Sequence, residues 1–186
     1  MIPPQDPDGG YTFLAGFQID GDGSPRCYAP VGSGLEGLDY LANAGRPGNW
    51  WGIATSVNGV PIIQGQGEPC PGYYVSTTSY QDPTKAIGDP ARYLDAENVP
   101  FAVFTAAFLR GVPGIVKGCL VLVSFNGVEA PAMAGDEGPA VGEGSIKLAQ
   151  LLGIPGSPKS GGVPTGVTWR FFPSVQYDPA YPLQPA

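Results

Sequence analysis

Two carboxylates stand seven positions apart in the stretch GDEGPAVGEGSIKLAQLLGI, which runs from Gly135 to Ile154. Asp136 follows an apolar run and leads into Glu137-Gly138-Pro139. Proline has no N–H for a sheet ladder and restricts the residue before it, so a strand should end at Asp136. Glu143 lies between Gly142 and Gly144, just ahead of Ser145. Acid/base chemistry on a glycosidic bond requires two carboxyl groups held on neighbouring rigid ends. The same residue types also have a plain structural use. An Asp in a Gly-Pro turn accepts backbone N–H bonds, and a Glu ahead of a helix complements its dipole. Spacing alone leaves both readings open.

The element that must hold Glu143 is a short helix. Ser145 is placed to N-cap Ile146-Lys147-Leu148-Ala149-Gln150-Leu151-Leu152, Gly153 suits the C′ stop, and Pro155 follows. The expected arrangement is a strand ending at Asp136, a glycine-rich turn carrying Glu143, and an apolar-faced helix anchoring that turn to the core.

A second acidic turn, Asp20-Gly21-Asp22-Gly23-Ser24, follows the strand-like run Tyr11 to Ile19, in which Gly16 suggests a bulge. The turn resembles the opening of a calcium loop, but Val31 occupies the twelfth position, where an EF-hand needs its bidentate acid. The missing ligand weighs against an EF-hand, and no metal is expected. Trp50 and Trp51 sit side by side. If they alternate on a strand, one packs inward and the other faces out, where it could stack on a sugar ring. Tyr73 to Tyr80 is rich in hydroxyls and β-formers, and contains Thr77.

The 186 residues suit one domain. Twenty-nine glycines and 22 prolines punctuate apolar runs such as VPFAVFTAAFL and GCLVLVSF, which reads as many turns between short strands. Only 13% of residues are charged and aromatics are ample, so the chain should fold rather than stay disordered. A net charge of −7, with a pI near 4.3, disfavours a nucleic-acid partner and favours a cationic or neutral one. The chain has no histidine, which removes Ser-His-Asp and Cys-His catalysis and His-containing zinc sites. Cys27, Cys70 and Cys119 show no CxxC spacing. Cys119 belongs to an apolar run and should be buried. Cys27 and Cys70 could pair if the protein is exported, which the sequence leaves open. No secretory leader or membrane span is visible.

In chain order, residues 1–10 are expected to form a flexible arm, 11–175 a single domain and 176–186 a proline-rich surface tail. Leu35, Leu38, Leu41 and Ala42 recur at helical spacing ahead of Gly45. Asn58-Gly59 should close a hairpin between Ile53–Val57 and Val60–Gln64. Asp82 to Asn98 reads as loop. Val99 to Leu109 reads as a buried strand, and Lys117 to Phe125 and Val128 to Gly135 as a hairpin joined by Asn126-Gly127. Val163 to Val175 reads as a last strand, with Val167, Trp169 and Phe171 on one face.

Several motifs occur together in one order: DGDGSP (Asp20–Pro25), LANAGRPGNWWG (Leu41–Gly52), GYYVSTTS (Gly72–Ser79), GDEGP (Gly135–Pro139), GEGSI (Gly142–Ile146) and LGI (Leu152–Ile154). This series, covering about Phe17 to Ile154, resembles glycoside hydrolase family 75 chitosanases. The resemblance implies an endo-acting, inverting enzyme that cleaves β-1,4-linked glucosamine in chitosan, a cationic polysaccharide suited to an acidic surface. It implies Asp136 and Glu143 as the catalytic carboxylates; the helix behind Glu143, which can hold it against apolar surface, favours it as the acid, and the reversed assignment stays open. Asp20 and Asp22 would bind glucosamine ammonium groups, or one of them would replace Asp136 as base. Tyr28, Trp50, Trp51, Tyr73 and Thr77 would line the substrate site. No cofactor, membrane or nucleic acid is implied, and a secreted monomer is expected. The fold implied is mainly β, a six-stranded double-psi β-barrel with one or two short helices and long loops. Two departures stand out: the turn between Asp136 and Glu143 is about two residues short, and Ala29 stands where the family often has His. Two rival functions are a double-psi barrel lytic for peptidoglycan and a non-catalytic polysaccharide-binding protein on the same scaffold.

Overall fold

The protein is seen in a computed structural model that describes residues 2–179. Its strands form wherever apolar residues alternate or run on between turn signals. They are β1 (Tyr11–Asp20), a two-residue pair β2 (Gly45–Arg46) and β3 (Asn49–Trp50), β4 (Phe101–Phe104), β5 (Cys119–Phe125), β6 (Val128–Glu137), β7 (Glu143–Ser145) and β8 (Val163–Gln176). Two short helices, α1 (Ala106–Gly111) and α2 (Ile146–Leu151), join them. Six strands close into a mixed barrel in the order β1-β7-β4-β6-β5-β8, with β1–β7 and β4–β6 parallel and the other pairs antiparallel. The architecture is mainly β and single-domain, as expected.

The barrel is filled by aromatic side chains. Phe17, Phe101, Phe104, Phe108, Trp169 and Phe171 are all buried, each such burial being worth roughly 2–3 kcal/mol. Val167, Trp169 and Phe171 share the inner face of β8. The register of β1 against β8 slips between Ala15 and Phe17, so Gly16 is a bulge, and its carbonyl accepts a 3.1 Å bond from Trp169 Nε1. A Cβ on Gly16 would come 2.6 Å from the Val163 carbonyl oxygen, which is why glycine stands there. The β5–β6 hairpin turns at Asn126 and Gly127, whose φ values of 49° and 79° fit the expected tight turn.

Ser145 caps α2 as expected. Its Oγ accepts from Leu148 N at 3.2 Å and also from Phe101 N at 3.0 Å, so one hydroxyl joins the helix, β7 and β4.

Several expectations are corrected. The apolar run from Val99 is not one strand: β4 ends at Phe104, Thr105 Oγ1 caps α1 by accepting from Phe108 N, and the helix buries Phe108 against Tyr11, Phe13 and Phe171. A continuous apolar run carries no period that separates the two. The helical spacing of Leu35 to Ala42 yields only a 3-10 turn over Leu41–Ala44, and Leu35 remains exposed. Around Asn58-Gly59 the chain does reverse, with Ser56 N donating to the Val60 carbonyl, but the flanks and Tyr73–Tyr80 make isolated bridges rather than regular strands. Cys27, Cys70 and Cys119 are all free thiols, so the open Cys27–Cys70 pairing is not made. Cys27 instead packs in a small cluster with Tyr28, Ala44 and Ile53, and Cys119 is buried as expected. In the N-terminal arm, Asp6 and Asp8 pair with Arg170 of β8, and Thr12 Oγ1 donates to Asp6 Oδ2 at 2.6 Å. Of the expected tail, Tyr177 N donates to the Gly118 carbonyl, and residues 180–186 lie outside the described part.

Candidate active site

Asp136 and Glu143 come together because β4 lies between their strands. Val103 of β4 pairs with Asp136 across the parallel ladder. On the other side Ala102 pairs with Gly144 in the antiparallel ladder, which brings Glu143 alongside Val103. Three strands thus set Glu143, Val103 and Asp136 in a row, with backbones of the outer two roughly 10 Å apart at the usual strand spacing. The register of β4–β6 slips so that Gly135 is extra and Asp136, not Gly135, meets Val103. This bulge depends on glycine, because a Cβ at Gly135 would lie 2.6 Å from both Leu94 Cδ1 and Phe101 Cβ. Glu143 stands at the start of β7 and not in a free turn, paired with Gln18 of β1.

The parallel β1–β7 ladder carries the chain to Asp20, opposite Ser145, and the acidic turn brings Asp22 to the same end of the barrel. Asp20 Oδ1 accepts from Asp22 N at 2.7 Å, and Asp22 Oδ1 accepts from the Tyr28 hydroxyl at 2.5 Å. One oxygen from each of Asp20, Asp22 and Asp136 lies within 4.8 Å of the others. Among the described residues nothing beyond the acidic cluster itself points to a metal ion there.

A cleft of about 560 Å³ opens over this cluster, lined by Asp20, Asp22, Asp39, Trp51, Asp136 and Glu143 among others. A second hollow of about 610 Å³ shares Asp22, Trp51, Asp136 and Glu137 with it and adds Thr77 and Ser79. A third, of about 310 Å³, shares Gln18, Pro139 and Glu143 at the opposite end. The three hollows adjoin one another through shared walls, with both carboxylates in the middle one.

Burial dominates the electrostatics. It holds the Asp20 carboxyl well above the usual range, and the charges of Asp22, Asp136 and Glu143 add to the effect. Asp22 is also pushed well up, first by burial and then by Asp136, with the Tyr28 hydroxyl opposing. Glu143 is raised by burial and by the charges of Asp136 and Asp39; no described residue donates a hydrogen bond to its carboxyl. Asp136 is raised by burial but opposed by N–H bonds from Ser79 at 2.8 Å and Glu137 at 2.7 Å, and by Lys117. The two central carboxyls therefore differ in environment: Asp136 Oδ1 is solvated by backbone, and Glu143 is not.

No family model matches the chain, and no curated protein matches it.

Among the residues singled out in the sequence, Asp20, Asp22, Tyr28, Trp51, Asp136 and Glu143 line the central cleft, and Thr77 lines the neighbouring hollow. Tyr28 reaches the cleft only through its hydroxyl, its ring being buried. Trp51 is 61% exposed, with its Nε1 fixed by a 2.7 Å bond to the Asn43 carbonyl. Trp50 and Tyr73 are corrected. Trp50 packs with Tyr74 against the Cys27–Tyr28 cluster, and the Tyr73 hydroxyl donates to the Glu36 carbonyl; neither side chain lines these hollows. Residues that sequence reasoning missed are Asp39, Asn43 and Lys159 on the cleft wall, and Lys117 behind Asp136. Asp39 and Asn43 had a signal in their four-residue spacing. The Asp39 carboxylate accepts from Asn43 Nδ2 at 3.0 and 2.9 Å.

Proposed function

We propose that the protein is an endo-acting, inverting glycoside hydrolase that cleaves β-1,4-glucosamine linkages in chitosan. The observation that carries the reading is the row Glu143–Val103–Asp136 at the middle of an open, acidic groove. Strand spacing puts the two carboxyl-bearing backbones at a distance compatible with the roughly 6.5–9.5 Å between carboxyl groups that inversion requires, leaving room for a water. An exposed, oriented indole at Trp51 offers a platform for a sugar ring. Carboxylates along the groove suit glucosamine ammonium groups.

The environments assign the roles. Glu143, raised by burial and without a donor, keeps its proton and gives it to the leaving glycosidic oxygen. Asp136, whose two N–H donors oppose the effect of burial that Glu143 meets unopposed, is the more readily ionised of the pair and takes a proton from the attacking water. As the C1–O bond breaks, the water oxygen bonds to C1 from the opposite face. Glu143 ends as carboxylate and Asp136 as carboxylic acid, and exchange with solvent restores both. Asp20 and Asp22 hold the amine of the bound sugar.

The test is reducing-end release from chitosan, beside acetylated chitin and peptidoglycan, for wild type, Asp136→Asn and Glu143→Gln. Each variant should lose about 10²–10⁴-fold in kcat on chitosan without unfolding. Release of anhydro-sugar ends from peptidoglycan would instead indicate a lytic enzyme. Retention on chitosan with no cleavage by wild type would indicate a binding protein.

A further inference from the structure

Lys117 lies outside the cleft and makes no ion pair among the described residues, yet its ammonium group is directed at the support of Asp136. Its Nζ donates to the Ser79 carbonyl at 2.8 Å, and Ser79 N donates to Asp136 Oδ1 at 2.8 Å. The next residue, Tyr80, donates its N–H to the Gly135 carbonyl at 3.0 Å. On the Lys117 side, Gly118 N donates to the Ala134 carbonyl at 2.9 Å, and the Gly118 backbone packs against the Tyr80 ring. Two loops are thus clamped to the bulged end of β6, and Lys117 is the side chain that ties one loop to the other.

We infer that Lys117 is a positioning residue for the base Asp136, acting through the Ser79 backbone. This rests on the hydrolase reading above. A base in this cleft must stay ionised while other acids crowd it. The charged groups around Asp136 are Asp20 and Asp22 at the end of β1, Glu137 beside it on β6, Glu143 of β7 and Lys117 from the loop before β5, with Asp39 and Lys159 farther along the cleft wall. Lys117 is the cation whose charge lowers the pKa of Asp136 against that crowd. By fixing the Ser79 carbonyl, Lys117 holds the residue whose own N–H lies on Oδ1 across its Cα, with a second N–H there from Glu137. The positive charge also offsets the repulsion of the neighbouring acids.

The experiment compares wild type with Lys117→Met, Lys117→Gln and Lys117→Arg. It reads the pH profile of kcat/KM on chitosan and the 13C-carboxyl NMR titration of Asp136, assigned with Asp136→Asn. In Lys117→Met the Asp136 titration and the acid limb of the profile should move together to higher pH, with kcat lowered about a hundredfold, as misplacement of a reacting group can cost. Lys117→Arg should restore both. If Lys117→Met does not fold, Lys117→Gln, which keeps a donor without the charge, should move the titration the same way. An Asp136 titration unmoved by loss of the charge overturns the inference, whatever happens to activity. If wild type does not cleave chitosan, the hydrolase reading fails, and the NMR titration still decides whether Lys117 sets the state of Asp136.

Discussion

The buried phenol of Tyr28 donates its hydrogen to Asp22 Oδ1 at 2.5 Å, on the floor of the cleft. The bond favours the ionised form of Asp22 against the burial that raises its pKa. Tyr28→Phe removes that donor while keeping the ring in its cluster with Cys27, Ala44 and Ile53. A hydrogen bond to a charged group is worth about 1.5–3 kcal/mol, so the loss should be of that order at alkaline pH. It should shrink as pH falls and Asp22 becomes protonated. Urea unfolding at two pH values checks this; a loss equal at both would mean that the bond serves the neutral acid.

The paired tryptophans separate stability from binding. Trp50 is packed with Tyr74 on a secondary core cluster, so Trp50→Ala should cost about 2 kcal/mol in unfolding free energy, less than a fully buried ring would. Trp51 is exposed, and its indole Nε1 donates to the Asn43 carbonyl. Trp51→Ala should leave the melting temperature nearly unchanged and weaken binding of chitosan oligomers about tenfold, the scale of a lost aromatic platform. Calorimetric unfolding and oligomer titration on both variants read the two effects independently.

Much of this fold is legible where local signals agree with tertiary need. Ser145 caps α2 and Asn126-Gly127 closes its hairpin, because each signal concerns only a few neighbouring residues. Legibility fails where packing decides. Thr105 begins a helix inside an apolar run, since only the aromatic cluster around Phe108 says which face must be buried. The candidate site shows the same division. Asp136 and Glu143 could be singled out, but their alignment through Val103 is a property of strand order, which no local spacing encodes. Trp50 and Trp51 have identical composition and adjacent positions, and only the fold distinguishes core from cleft. Lys117 gave no signal, because its partner Ser79 is remote in sequence.

Ser145 couples the barrel to the acid. Its buried hydroxyl accepts from both Leu148 N and Phe101 N, two residues after Glu143. Ser145→Ala strands two buried donors and should destabilise by about 2–4 kcal/mol, more than the roughly 1 kcal/mol of an ordinary cap. Ser145→Thr, which keeps the acceptor, should recover part of this. Hydrogen exchange at Phe101 and Leu148 reports whether the two amides lose protection together. Exchange at Leu148 alone would show the bond to β4 to be dispensable.

The crowded carboxyls fix the sign of the pH dependence of stability. Asp20, Asp22, Asp136 and Glu143 all have folded-state pKa values above those of the unfolded chain, first through burial. Such groups contribute stability that is complete below the unfolded value, about pH 4, and is lost as pH rises through the folded values. Glu97 acts oppositely. Hydrogen bonds from Arg26 and Ser24 hold it below the ordinary value, so its contribution is present above about pH 4 and is lost as pH falls through its folded value. The two trends cross in weak acid. The melting temperature should therefore be higher near pH 5 than near pH 8, measured at constant ionic strength. Asp20→Asn removes the most crowded charge while keeping an oxygen to accept from Asp22 N. It should raise the melting temperature near pH 8 by a few degrees, corresponding to about 1 kcal/mol for a chain of this length, and flatten the slope toward acid. A melting temperature that climbs steadily from pH 5 to pH 8 would show that burial does not raise the folded-state pKa values of these acids, and would remove the electrostatic basis for keeping a proton on Glu143.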